Sequence, residues 1–322
     1  MASTMGIPVA NAVVPISAAV AAETRAYLEA AVAANTRRAH RSHWADFRAW
    51  CDSHGCSALP ASAETVAAYL TVQAQSRRVG TLEHRLATIA KAHHAAGLPN
   101  PAASELVRLQ MRGIRRIRGI APMQKTPTLV ADLRAMVATL PDSLLGVRDR
   151  ALLLVGFAGA FRRAELVALD FADLAFSAEG VTITVRRSKT DQERVGMQKA
   201  IHYGRVPATC PVTALRVWLE MADITEGPIF RPINRHGQLG ATRLSDKAVA
   251  LVVKRTAATT GLDPAQYAGH SLRAGLVTQA AANGEEERNI MRQTGHKSLL
   301  MVRRYIRAGS LFRDNITDRI GL

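Results

Sequence analysis

Tyr305 sits in cationic company near the end of the chain. The stretch TGHKSLLMVRRYIRAG, Thr294 to Gly309, sets it nine residues after His296, among Lys297, Arg303, Arg304 and Arg307. The chain has only five tyrosines. One that merely packs needs no such neighbours; one that must lose its proton beside a phosphate does. A phenol with an ordinary pKa of about 10 has to be activated where it meets the anion. Three other cationic stretches could share that task. GAFRRAELVALD spaces Arg162 and Glu165 at i, i+3 after the apolar run ALLLVGFAGAF. That spacing suits a weak surface ion pair on a helix as well as a site near a core. RRSKTD places Lys189 in a turn between strand-like segments, where a lysine is ordinarily solvated. GHSLRAG spaces His270 and Arg273 one helical turn apart, which a plain helix surface would also do.

Taken in order, Arg162, Lys189, His270-x-x-Arg273, His296 and Tyr305 resemble the tyrosine recombinases, the phage-integrase family of DNA breaking-and-joining enzymes. The resemblance covers the whole second domain. In the first domain, RSHWADFRAWCDSHG, LPASAETVAAYL, TLEHRLATIAKAHHAAGLPNP and VRLQMRGIRR look like the helical core-binding domain of Cre-like members. Val302 and the ending Tyr305-Ile306-Arg307 are also Cre-like. His296 departs from that branch, which has tryptophan there, and follows most of the family.

The resemblance implies a role for each residue. Tyr305 would attack a DNA phosphodiester to leave a phosphotyrosyl ester. Arg162 and Arg273, planar donors matched to phosphate, would clamp the non-bridging oxygens, and His296 would add a hydrogen bond. His270 would take the tyrosine proton. Lys189 would protonate the leaving 5′ oxygen, and Glu165 would support the basic residues. No cofactor is implied, because the covalent ester keeps the bond energy that religation needs. No carboxylate cluster suits Mg²⁺ and no glycine-rich loop suits ATP. The partners implied are duplex DNA carrying recombination sites and further copies of the chain, four protomers on two sites. The apolar positions Leu311, Phe312, Ile316, Ile320 and Leu322 of the tail would dock on a neighbouring protomer, with capping of the chain's own core as the alternative. Two other readings stay open: a type IB topoisomerase, and a DNA-binding regulator without catalysis.

Composition agrees with a polyanionic partner. Forty-two Lys and Arg stand against 26 Asp and Glu, a formal charge of +16. Both halves of the chain are basic. Neutralising phosphates with such side chains releases counterions and gives salt-dependent affinity. The expected groove-facing or phosphate-gripping residues are Arg37, Arg38 and Arg41; His84, Arg85 and Lys91; Arg112, Arg115, Arg116 and Arg118; and Arg243 with Lys247. Three cysteines, Cys51, Cys56 and Cys210, make no disulfide framework and fit a reducing cytoplasm. They have no zinc-ligand spacing, and no apolar run approaches the roughly 20 residues a membrane span needs.

These residues need a mainly α scaffold with a small β-sheet or hairpin, an α+β fold. A flexible leader is expected over 1–22, a helical core-binding domain over 23–120, a linker over 121–127 (from APMQKTP) and a catalytic domain over 128–322. Helices are expected from an Asn35-Thr36 cap, from Ser62, from Thr81 to Gly97, over SELVRLQMRGIRRIRG, and from Ser245 to Gly261. The alternation of Val181, Ile183 and Val185 marks the one β signal, with a second strand returning after the turn.

Overall fold

The computed structural model describes residues 17–120, 125–186, 196–296, 298–300, 302, 303, 305, 317 and 320. The chain divides into two compact units, Met1–Pro122 and Met123–Leu322.

The first unit holds five helices: α1 (Ala18–Ala30), α2 (Ala34–Ser53), α3 (Ala63–Ser76), α4 (Val79–Ala95) and α5 (Glu105–Arg118). Serines start two of them as their sequence suggests. Ser62 Oγ accepts from the Thr65 amide at 3.1 Å, and Ser104 Oγ from that of Val107 at 3.3 Å, each satisfying an otherwise orphaned donor. α2 begins one residue ahead of the expected Asn35-Thr36 cap, and Asn35 instead accepts from Arg38 inside the first turn. The leader ends sooner than expected. Ser17 caps α1, whose alanines at 18, 19, 21 and 22 favour helix over coil. Phe47, Val66, Tyr69, Leu70, Leu82, Ile89, Val107 and Met111 form the apolar core.

The second unit is built on α7 (Leu144–Ala158), which is buried almost throughout from Gly146 to Phe157. Its apolar run from Ala151 belongs in a core, and its buried Arg148 and Asp149 pair with each other at 2.7 Å. Around it lie α6 (Val130–Ala138), α8 (Arg163–Ala168), α9 (Pro211–Met221), α10 (Asp246–Thr259), α11 (His270–Ala282) and α12 (Glu287–Thr294). Ser245 caps α10 by accepting from the Ala248 amide at 3.3 Å. The small sheet has three antiparallel strands, the expected hairpin preceded by one more: β1 (Leu174–Phe176), β2 (Gly180–Val185) and β3 (Met197–His202), in that order. β1 is only three residues long, too short to show a period of two.

The expected linker belongs in part to this unit. Lys125 donates to the Ala265 carbonyl at 2.5 Å, Thr126 N–H to Gln266 and Thr128 N–H to Ser271. Thr128 therefore lies hard against α11, where a Cβ on Gly275 would come 1.8 Å from its carbonyl oxygen. Gly275→Ala is expected to cost about 1–3 kcal/mol of stability through overpacking, read as a lowered midpoint in thermal denaturation. An unchanged midpoint would show that the chain at 128 yields freely.

Candidate active site

Arg162 ends the turn that leaves α7. That turn carries Ala160 in the left-handed region, φ 47°, followed by buried Phe161. The sequence suggests a pair on one helical face, but Arg162 stands before α8, at its cap. Glu165, 5% exposed, accepts the Arg162 backbone N–H at 2.9 Å with Oε2 and its Nη1 at 2.5 Å with Oε1. One carboxylate thus starts the helix and aims the guanidinium.

Arg273 is 1% exposed on α11. Its Nη1 donates to the carbonyls of Ala160 and Thr294, both at 2.7 Å. Its Nη2 meets His296 Nε2 at 3.0 Å. Burial, then the charge of Arg162, pulls its pKa down to about 10. Arginine only donates, so His296 Nε2 must be the acceptor and its proton sits on Nδ1. From there it donates to Thr294 Oγ1 at 2.7 Å, which donates to the Ile290 carbonyl at 2.7 Å. Burial, with Arg273 and Arg162 next, pushes the His296 pKa to about 3. This imidazole is neutral at physiological pH. Gly295, left-handed at φ 69°, closes α12 and turns the chain so that His296 reaches Arg273.

The Tyr305 hydroxyl lies 2.9 Å from His270 Nε2. Its ring centre is 6.4 Å from that of His270 and 6.2 Å from that of His296. Two contacts hold the segment in place. Val302, fully buried, enters a small cluster with Val277, Ala281 and Ile290, against which Tyr305 packs. Arg303 forms a forked pair with Glu287 at the start of α12, Nε to Oε1 at 3.0 Å and Nη2 to Oε2 at 3.2 Å. Lys189, Lys297, Arg304 and Arg307 lie outside the described residues.

Four distant stretches therefore meet: Arg162 and Glu165 with α8, His270 and Arg273 on α11, His296 after α12, and Tyr305. The group offers two guanidinium groups as an anion cradle, a neutral imidazole on one of them, and a phenol bonded to a second imidazole. Sequence reasoning misses a further participant, Lys199 on β3. It is 3% exposed, and its Nζ donates to the carbonyls of Gly159 at 2.6 Å and Gln293 at 2.7 Å. Its signal was strand alternation: Met197, Lys199 and Ile201 share one face of β3, which points inward.

Among the expected DNA contacts of the first unit, Arg38, Arg41, His84, Lys91, Arg112, Arg115, Arg116 and Arg118 are exposed and Arg37 is partly so. α2 and α4 lie side by side, joined by a His40 Nδ1 to Thr88 Oγ1 bond of 2.7 Å. Burial, then Lys91 and His84, lowers the His40 pKa, so those two basic residues of α4 lie beside α2. Arg115 reaches across from α5 to Glu83 Oε1 at 2.9 Å.

One expected contact is buried, and another is tied to the chain. Arg85 is buried and pairs with Asp46 and Tyr69, because the helical period sets it on the core side between Leu82 and Ile89. In the second unit Arg243 spends its guanidinium on the chain itself. It donates to the carbonyls of Val167 at 2.7 Å and Leu169 at 3.1 Å, and to Asp170 at 2.6 Å. The end of α8 supplies orphan carbonyls that hold it, while the residue stays exposed. Lys247 is exposed on α10. Among the described residues no group of three His, Cys, Asp or Glu side chains is arranged to hold a metal ion, and no helix is long and apolar enough to cross a membrane.

Residues 129–310 match the model of the phage integrase family. The chain belongs to that family and is a tyrosine-type site-specific DNA recombinase. It is 44% identical over 297 residues to an integrase/recombinase xerD homolog of Selenomonas ruminantium, covering 91% of this chain and 87% of that protein. It is 26% identical over 281 residues to the recombinase cre of Escherichia phage P1, covering 80% of each. In fold it is similar to the XerH site-specific recombinase bound to palindromic difH substrate in a post-cleavage complex. The TM-score is 0.59 at 15% identity, over 80% of this chain and 71% of that one.

Proposed function

We propose that this recombinase cuts and rejoins duplex DNA through a 3′-phosphotyrosyl ester on Tyr305, with strands exchanged through a Holliday junction between two sites. The observation that carries the reading is the Tyr305 hydroxyl 2.9 Å from His270, next to the Arg273–His296 pair. In the cleavage step Tyr305 Oη bonds to phosphorus and the bond to the 5′ oxygen breaks. The phenolic proton passes to His270, and the leaving 5′ oxygen takes a proton from Lys189. Arg162 and Arg273 stabilise the charge on the non-bridging oxygens, each donor group contributing about 3–4 kcal/mol. Attack by a 5′ hydroxyl on the ester reverses every transfer and restores the phosphodiester. His296 serves the phosphate once Arg273 turns its Nη2 to the anion and the imidazole proton is carried on Nε2 instead of Nδ1, with Thr294 Oγ1 then donating to Nδ1. The exposed basic faces of α2, α4 and α5, with Lys247, hold the DNA backbone. Such contacts position rather than specify.

Four copies assemble on two sites, and the tail joins them. A groove of about 590 Å³ on the catalytic unit is lined by Leu133, Leu154, Phe157, Leu276 and Ile290. This apolar surface suits Leu311, Phe312, Ile316, Ile320 and Leu322 of a neighbouring copy. The test uses a supercoiled plasmid bearing two copies of a duplex enriched from a random library by binding to the protein. Full-length protein is expected to yield recombined circles, and relaxation without recombinants would contradict the reading. Truncation after Gly309 is expected to leave single-site binding nearly intact while removing cooperative assembly in a gel-shift titration. Unchanged cooperativity would contradict the docking.

A further inference from the structure

Three successive carbonyls at the end of α7 are each taken by a different side chain. Ala158 O accepts from Gln293 Nε2 at 2.9 Å, Gly159 O from Lys199 Nζ at 2.6 Å and Ala160 O from Arg273 Nη1 at 2.7 Å. Two of those side chains also reach the end of α12. Lys199 takes the Gln293 carbonyl, and Arg273 that of Thr294. The two cations therefore form parallel rungs between the same two chain segments. One segment runs directly into Arg162 and the other into His296.

We propose that Lys199 is a positioning residue of the cleavage reaction: its ammonium ties the turn that presents Arg162 to the turn that presents His296, and it gains its proton as the phosphate is captured. The inference rests on the reading of Tyr305 as nucleophile. Lys199 does not act on the leaving group, since it is 3% exposed and bonded to two backbone carbonyls. Its ammonium lies 5.0 Å from the Phe161 ring centre, and across the sheet it pairs with apolar Ile183.

The charged groups facing it are those of the site. From α11 comes Arg273; from the start of α8, Arg162 and Glu165; and after α12, neutral His296. Burial, Arg273 and Arg162 lower its pKa to about 7 against the opposing pull of Glu165. In DNA-free protein at pH 8 most of these amines are neutral. A phosphodiester between the two arginines cancels the repulsion that expelled the proton, so binding must take one up. A neutral amine can still donate to two carbonyls, but protonation makes both bonds charge-assisted and tightens the tie.

The test compares wild type, Lys199→Met and Lys199→Arg on a nicked suicide duplex carrying the enriched site. Calorimetric titration at pH 8 in two buffers of different ionisation enthalpy counts the protons exchanged on binding. Single-turnover assays at saturating DNA give the cleavage rate. Wild type is expected to take up roughly half a proton to one proton, and both variants to lose that uptake. K199M, which cannot take up the proton, is expected to bind at least about twofold more weakly at pH 8 and, at saturating DNA, to cleave about 10²-fold more slowly, the cost of loosened site geometry. K199R, which stays charged, should recover at least about tenfold of that loss. The proposal is overturned by wild-type binding without proton uptake, a result that needs no variant to fold. Cleavage by K199M at the wild-type rate, or by K199R no faster than K199M, overturns it too. If wild type forms no Tyr305 ester, the reading of the nucleophile is what has failed.

Discussion

Arg273→Met is expected to slow strand cleavage by about 10³-fold or more, while Arg273→Lys recovers little of it. The side chain is all but sealed from solvent and makes three hydrogen bonds with two groups of donors. Methionine matches the stem but strands the carbonyls of Ala160 and Thr294, each unsatisfied buried acceptor costing about 1–3 kcal/mol. Lysine keeps the charge but has no planar fork, so it cannot serve a carbonyl of each turn and the phosphate together. Both effects fall on one residue because it is both a structural tie and half of the anion cradle. Single-turnover cleavage and thermal midpoints of the two variants check this. Wild-type cleavage in Arg273→Lys would remove the fork from the account.

Tyr305→Phe is expected to reduce cleavage at least about 10⁴-fold, as loss of a nucleophile does, with DNA affinity and thermal midpoint nearly unchanged. Phenylalanine retains the ring that packs on the cluster of Val277, Ala281, Ile290 and Val302. The Arg303–Glu287 fork, which also fixes the segment, is untouched. Only the bond to His270 goes. Matched gel-shift titrations and cleavage assays separate the outcomes. Lost binding would mean that the hydroxyl holds the fold, and residual cleavage near wild type would move the nucleophile elsewhere.

The sequence carried much of this site because its signals are local. Ser62, Ser104 and Ser245 each precede an apolar-periodic run, and each caps a helix. His270 and Arg273 are one turn apart on α11, as the spacing suggests. What a single sequence does not carry is the choice between a basic residue's stem and its charge. Arg85 and Lys91 are both cations on α4, yet Arg85 lies on the core stripe with Leu82 and Ile89 and finds Asp46 and Tyr69 there. Helical phase alone separates them, and composition hides it. Lys199 was concealed in the same way, its inward phase on β3 overshadowed by the more conspicuous lysine of the turn. Arg162 misled differently: i, i+3 spacing reads as a helical face, whereas the left-handed turn at Ala160 stops one helix and makes Arg162 the cap of the next. Arg243 reads as a free cation because carbonyls left open at a helix end have no sequence signature.

The central claim is that these separated stretches make one pocket in which Tyr305 attacks phosphorus. It is tested most directly by trapping the protein on a nicked suicide duplex, digesting the adduct and identifying the joined residue and DNA end by mass spectrometry. The account predicts a peptide containing Tyr305 esterified to a 3′ phosphate. An adduct on any other residue, or on a 5′ phosphate, would contradict it.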